Sequence, residues 1–392
     1  MRETSSGGIC DTVATAMNCI LVAATCRPIL LKGHERPLTC VAYNEEGDLL
    51  VTCAKDNTPT VWYADTGDRL GTFPGHNGSV YTCSISGALK RISRKPFLVS
   101  PSESLISLSN MTITIAEDSQ RLLTASADST MKLWDVSSGS QLGTIVHQEP
   151  TRGVAFAIGS RLAAATTDAF MSAPASVRVY KMPPTGREDH LPSQPEQRVD
   201  FGNQRVTRAR FGPLNQTIVA SDENGTLRML DTETGQVKEE VREAHSRAIT
   251  DLQFSHDMTH FITSSADKEA KLWDSRTLRH LKTYTSDRPL NAAAISPLMD
   301  HVVLGGGQEA MAVTQTASKA GKFESKLYHK IFEEELGTIK GHFGPINAIA
   351  FAPDGRSFTT GGEDGFARVH FFDKEVLKLN LTENLEDKGP PK

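Results

Sequence analysis

Apolar and polar residues alternate in short runs broken by Asp and Gly, and the same order of runs returns along most of the chain. Residues 38–43 alternate, a turn follows at Glu46-Gly47-Asp48, residues 49–53 form a second apolar run, Lys55-Asp56-Asn57 supplies another turn, and residues 60–63 form a third. Runs this short, bounded by Asp- and Gly-bearing turns, predict antiparallel strands joined as hairpins. Third strands of later copies end at Leu133-Trp134-Asp135, Met229-Leu230-Asp231, Leu272-Trp273-Asp274 and Phe371-Phe372-Asp373.

The phase of these copies is regular. Gly33-His34 precedes Trp62 by 29 residues counted from the glycine, Ala244-His245 precedes Trp273 by the same 29, and Gly341-His342 precedes His370 by 29. Gly75-His76 precedes Trp134 by 59, which marks the same unit with an insertion of 30 residues at about 84–113. Residues 147–180, 201–231 and 288–316 hold weaker copies, making seven units. Their mean length lies close to the roughly 40 to 45 residues of a WD40 repeat. The expected fold is therefore all-β, a seven-bladed WD40 β-propeller spanning residues 27–376. Residues 1–26 are expected to be an extension outside the fold, disordered or spurious, and residues 377–392 a polar tail. The strand at residues 27–32 has no blade of its own, whereas the last repeat shows only three strands. Pairing of the two is expected to close the ring and remove an unpaired edge.

Within each well-kept repeat, His, a hydroxyl, Asp and Trp are spaced to form one hydrogen-bonded chain that satisfies the buried indole N–H. The expected members are His34, Asp56 and Trp62; His76, Ser126, Asp128 and Trp134; His245, Asp267 and Trp273; and His342 with Asp364. A catalytic His-Ser-Asp reading of the same residues fails, because a triad also needs an exposed nucleophile and an oxyanion hole.

Composition narrows the function. Lys and Arg number 42 against 47 Asp and Glu, a net charge of −5, so no overall field draws the chain to nucleic acid or anionic membrane. No apolar run approaches the roughly 20 residues that span a bilayer. The six cysteines lie in the first quarter without a C-x-x-C pair, and are expected to be reduced cytosolic thiols. The only dense basic cluster, Lys90, Arg91, Arg94 and Lys95, lies in the insertion and lacks the aromatics of a single-strand platform. Nothing in the sequence indicates direct RNA contact. The run Gly305-Gly306-Gly307 lacks the phosphate-loop pattern and is expected to be a turn needing positive φ. The polar loop around His190 and the acidic run Glu333-Glu334-Glu335 are expected to be solvated. No catalytic residue, metal ligand set or cofactor site is expected.

From Arg27 onward the chain resembles the i-subunit family of eukaryotic translation initiation factor 3. The resemblance rests on Gly33-His34-Glu35-Arg36-Pro37-Leu38-Thr39, Ala54-Lys55-Asp56, Val61-Trp62-Tyr63, residues 301–311 reading HVVLGGGQEAM, Gly321-Lys322-Phe323-Glu324, Ile331-Phe332-Glu333-Glu334-Glu335 and residues 341–347 reading GHFGPIN. Residues 1–26 and the insertion have no counterpart in the family pattern.

The resemblance implies a non-enzymatic, cytoplasmic scaffold. It would hold the b and g subunits of the factor and support mRNA and initiator tRNA recruitment to the 40S ribosome. It places the grip on a b-subunit helix at Asp257, Leu272 and Asp274, where two carboxylates beside an apolar position can hold a basic residue while the apolar side of the helix packs. Taken without the resemblance, Asp257 reads as a turn former and Asp274 as the aspartate of the repeat. The competing reading is a WD40 adaptor in signalling or ubiquitin-ligase assemblies, since one propeller surface serves many partners. A propeller hydrolase would need clustered acids or metal ligands at the channel mouth, and the spacing of His, Asp and Cys supplies none.

Overall fold

The computed structural model describes residues 28–85, 121–184, 191–307 and 323–373. Among them lie seven four-stranded antiparallel sheets. The first strands of successive sheets are Leu38–Tyr43, Val80–Ile85, Thr151–Phe156, Val206–Phe211, Ile249–Phe254, Leu290–Ile295 and Ile346–Phe351. Each touches the next, and the last touches the first, so the sheets are blades in a closed ring. Second strands are covered on both faces by neighbouring blades. Leu49–Ala54 is accordingly buried throughout, whereas the outermost strand Val237–Val241 of blade four is mostly exposed and reads VKEEV.

The ring closes as the sequence predicts. Ile29–Lys32 pairs antiparallel with Phe366–Phe371 as the fourth strand of blade seven, with Ile29 opposite Val369 and Leu31 opposite Ala367. Leu31 is buried in the core shared by blades seven and one. Residues 1–26 and 377–392 lie outside the described residues.

Every first strand carries an irregularity after its first residue, at Thr39, Tyr81, Arg152, Thr207, Thr250, Asn291 and Asn347. A bulge leaves one residue unpaired and re-aims its side chain. Several of these side chains stitch one blade to the next. Thr39 donates to the Val80 carbonyl, Thr250 to that of Leu290, Asn291 to that of Ile346 and Asn347 to that of Leu38.

The axial channel is crossed by long side chains from blades four and five. Arg208 pairs with Asp251 at 3.1 Å, and Gln253 reaches across to donate to the Ile349 carbonyl of blade seven at 2.7 Å.

Three features depart from the sequence reading. Ser84 and Ile85, assigned by the sequence to the start of the insertion, belong to the strand Val80–Ile85, which pairs with Arg121–Ser126. The insertion's basic cluster lies outside the described residues, as does His190. The sixth repeat runs beyond residue 316, taking Glu324–His329 as its third strand. In the glycine run only Gly307 has a positive φ, of 150°. Gly305 and Gly306 lie in the strand His301–Gly306, where a Cβ would strike Ile346 and Ile349 or the Pro289 carbonyl.

Cys40, Cys53 and Cys83 are free thiols packed together between blades one and two, and burial pushes the Cys53 thiol up. No helix among the described residues is long and apolar enough to cross a membrane.

Candidate functional site

Four repeats contain the expected histidine chain, but its hydroxyl is a threonine. In blade one, His34 Nδ1 lies 2.7 Å from Asp56, its Nε2 lies 2.7 Å from Thr52 Oγ1, and Trp62 Nε1 donates to the same oxygen at 2.8 Å. Blade two repeats this with His76, Asp128, Thr124 and Trp134, and blade five with His245, Asp267, Thr263 and Trp273. In blade seven His342 meets Asp364 and Thr360, and His370 takes the tryptophan position 3.2 Å from Thr360 Oγ1. A carboxylate only accepts, so it holds the imidazole with Nδ1 protonated, leaving Nε2 to accept from the threonine. Burial pushes His76, His245 and His342 down, keeping them neutral near pH 7.

Ser126 is therefore a correction. Trp134 stands opposite Leu122, so Thr124 is one same-face step along the strand whereas Ser126 is two steps away at its end. Ser126 instead accepts the backbone N–H of Asp128 at 3.2 Å.

These residues are architecture. His245, Asp267 and Glu269 bring ligand atoms within 4.8 Å of one another, yet both imidazole nitrogens are already engaged by Asp267 and Thr263.

On blade five the two aspartates expected to grip a partner share one face. Asp257 sits in the connection after Ile249–Phe254, accepting from the Ser255 hydroxyl, the Thr259 hydroxyl at 2.7 Å and the Thr259 N–H at 3.2 Å. Burial works against its charge, but those hydrogen bonds outweigh it and hold the carboxyl at about 2. Asp274 ends Glu269–Asp274 opposite His260. Its Oδ1 accepts from the Thr277 hydroxyl at 2.8 Å and from the N–H groups of Thr277 and Arg276, which lower its pKa, the hydroxyl most of all. The Ser275 N–H donates to the Thr259 carbonyl at 3.0 Å, joining the two turns. Both carboxylates are thus ionised and fixed in orientation before any partner arrives.

Leu272 does not join them. Its side chain is 5 % exposed and packs with Ile262, Tyr284 and Leu290 between blades five and six, out of reach of a docking helix. Exposed apolar surface comes instead from Ile331 and Phe332, 49 % and 69 % accessible, in the turn between Glu324–His329 and Glu335–Lys340. That turn is tied to blade five by Lys282 and Glu333 at 2.8 Å. Two apolar residues at a turn bordered by Glu333-Glu334-Glu335 were the available sequence signal.

Comparison with known proteins agrees with this architecture. Residues 25–63 match the WD domain, G-beta repeat model, and residues 108–382 match the EIF3I family model. The chain is 42 % identical over 355 residues to eukaryotic translation initiation factor 3 subunit I of Homo sapiens, covering 91 % of this chain and 99 % of the human protein. The chain belongs to the translation initiation factor 3 subunit I family. Family members from Xenopus tropicalis and Taeniopygia guttata are each 41 % identical, with the same coverage. Among the described residues of this chain the histidine network occurs in three copies with tryptophan and one with His370 in its place.

Proposed function

We propose that this chain is a non-enzymatic scaffold of translation initiation factor 3. It grips a helix of the b subunit at Asp257 and Asp274, also holds the g subunit, and so supports mRNA and initiator tRNA recruitment to the 40S ribosome in the cytoplasm. The observation that carries the reading is the pair of pre-oriented carboxylates on one face of blade five. A basic helix residue meeting them forms charge-assisted bonds without reorganising the protein side, which favours affinity and register. Ile331 and Phe332, on the adjoining blade, take the place first expected of Leu272 as the apolar contact.

Affinity capture of the full chain from cells of its own lineage tests the proposal. Recovery of the b and g subunits together with 40S particles is the expected result. Recovery of signalling or ubiquitin-ligase components without them would replace it with the adaptor reading.

A further inference from the structure

We infer that blade six holds a small-molecule site, in a cavity of about 360 Å³ beside the connection from blade five, that takes a zwitterion of the amino-acid class.

The first observation is that blade six does not carry the histidine chain. His34, His76, His147, His245 and His342 each stand four residues before the first strand of their blade, and at that place before Leu290–Ile295 stands Ser286. Along the strands, Leu304 takes the position that Thr263 has in blade five, and Tyr328 that of Trp273. Tyr328 donates its hydroxyl to the Thr285 carbonyl at 2.7 Å, so it needs neither a threonine nor an imidazole as partner. A serine where other blades put a ring leaves space unfilled, and Ser286 and Leu304 both line the cavity.

The second observation is that two charges in this lining are left unanswered. Lys326 is paired twice, its Nζ lying 3.2 Å from Asp287 and 3.1 Å from Glu335. Arg288 Nε lies 3.6 Å from Asp287, but its Nη1 is sealed from water and has no hydrogen-bond acceptor among the described residues. A buried donor in that state carries its full desolvation cost until an acceptor arrives. Glu324 is the counterpart among the acids. Its side chain is 16 % exposed, and Lys340 Nζ, on a side chain 73 % exposed, stays 3.6 Å away, beyond hydrogen-bond distance. Arg288 and Glu324 line the same cavity, together with Leu290 and Leu304.

The chemistry of an occupant follows. A lone anion would satisfy Arg288 but meet Glu324, and a lone cation would satisfy Glu324 but meet Arg288. A molecule with a carboxylate at one end and an ammonium at the other answers both, since its carboxylate accepts from Arg288 and its ammonium donates to Glu324 in charge-assisted bonds. Leu290 and Leu304 supply an apolar wall for a short aliphatic side chain. The volume falls at the low end of the roughly 300 to 1,000 Å³ of small-molecule sites, which suits a ligand of this size.

Isothermal titration calorimetry of the full chain with glycine, L-alanine, L-valine and L-leucine tests the inference. At least one is expected to bind saturably. Its affinity should fall about tenfold or more for the N-acetyl derivative, which loses the ammonium, and for the amide, which loses the carboxylate. Arg288→Gln and Glu324→Gln should each cause a loss of the same size. Arg288→Gln removes a stranded donor, so the fold survives it. Ser286→His puts a ring where the other blades have one and should abolish binding by filling the space. Saturable binding of none of the four, or equal binding of the N-acetyl form, overturns the proposal. So does unchanged binding to both glutamine variants, or to a Ser286→His chain of undiminished melting temperature.

Discussion

Asn347 of blade seven donates its side-chain amide to the Leu38 carbonyl of blade one at 3.1 Å, and to Glu363 of its own blade at 2.7 Å. The bond crosses the seam where the two ends of the propeller meet, some 310 residues apart in the chain, at the opposite edge of blade seven from the strand pairing that closes the ring. Closure thus rests on a bulge side chain at the centre and on a whole strand at the rim.

Deleting residues 27–32 removes the fourth strand of blade seven, unburies the Leu31 pocket and opens the edge of Phe366–Phe371. The melting temperature should fall by about 10 °C or more, read by circular dichroism, with aggregation from the new edge. Asn347→Ala removes only the inner bond and should cost about 1 to 2 kcal/mol in urea unfolding. An equal effect of the two changes would mean that the strand contributes little to closure.

The Thr124 and Ser126 hydroxyls separate by consequence as well as by place. Thr124 Oγ1 serves both Trp134 Nε1 and His76 Nε2, so Thr124→Val strands two buried polar groups and should destabilise by about 2 to 4 kcal/mol. Ser126→Ala loses one bond to the Asp128 N–H and should cost about 1 kcal/mol. Chemical denaturation of the two variants side by side reads the difference.

The contrast shows what sequence could reach. The spacing of Gly-His, Asp and Trp marks phase along the chain, which is enough for the blade count and the closing strand. Which hydroxyl meets the indole depends on cross-strand register, and Thr124 and Ser126 share a face, so alternation alone could not separate them. Leu272 failed for a related reason. It lies two residues before Asp274 on the same strand, but the strand is covered on both faces, so nearness to an exposed end did not imply exposure. The hydrogen bonds of Arg210 to the Val154 carbonyl and of Asn215 to Ile158 were illegible because each depends on a neighbouring blade about 55 residues away in sequence.

Acid should weaken the fold before any carboxylate is protonated. Burial pushes His147 and His301 down to about 4 and His370 to about 3, against an ordinary histidine near 6.5. Below pH 6.5 the unfolded chain binds protons that the native state refuses, so stability is full above that pH and declines as pH falls. Each histidine contributes a slope of up to about 1.4 kcal/mol per pH unit, continuing to its own folded value. Asp128 and Asp364, held below the ordinary carboxylate range, add their loss only below about pH 4. Urea unfolding at pH 7.0, 5.5 and 4.5 should show progressively lower stability. His370→Phe keeps the stacking with Phe358 and should give a shallower decline. A flat profile over that range would contradict the assigned neutral states.

The blade-five carboxylates should decide partner binding without supporting the fold. Asp257 and Asp274 take their hydrogen bonds from their own turns, so neither belongs to the histidine chains or the core. Lysine at both positions keeps a charged, solvated side chain but turns attraction for a basic helix into repulsion, an effect worth tenfold or more for close charge pairs, or about 1.5 kcal/mol upward. Asp257→Lys with Asp274→Lys should therefore abolish capture of the b-subunit helix while lowering the melting temperature by only a few degrees, about the cost of two turn caps. Phe332→Ala should weaken capture in part, as the apolar contact, and Leu272→Ala should act through stability, since its side chain lies in the core between blades. If the double lysine variant binds the helix at unchanged affinity, the grip lies elsewhere on the ring, and the two carboxylates are turn formers alone.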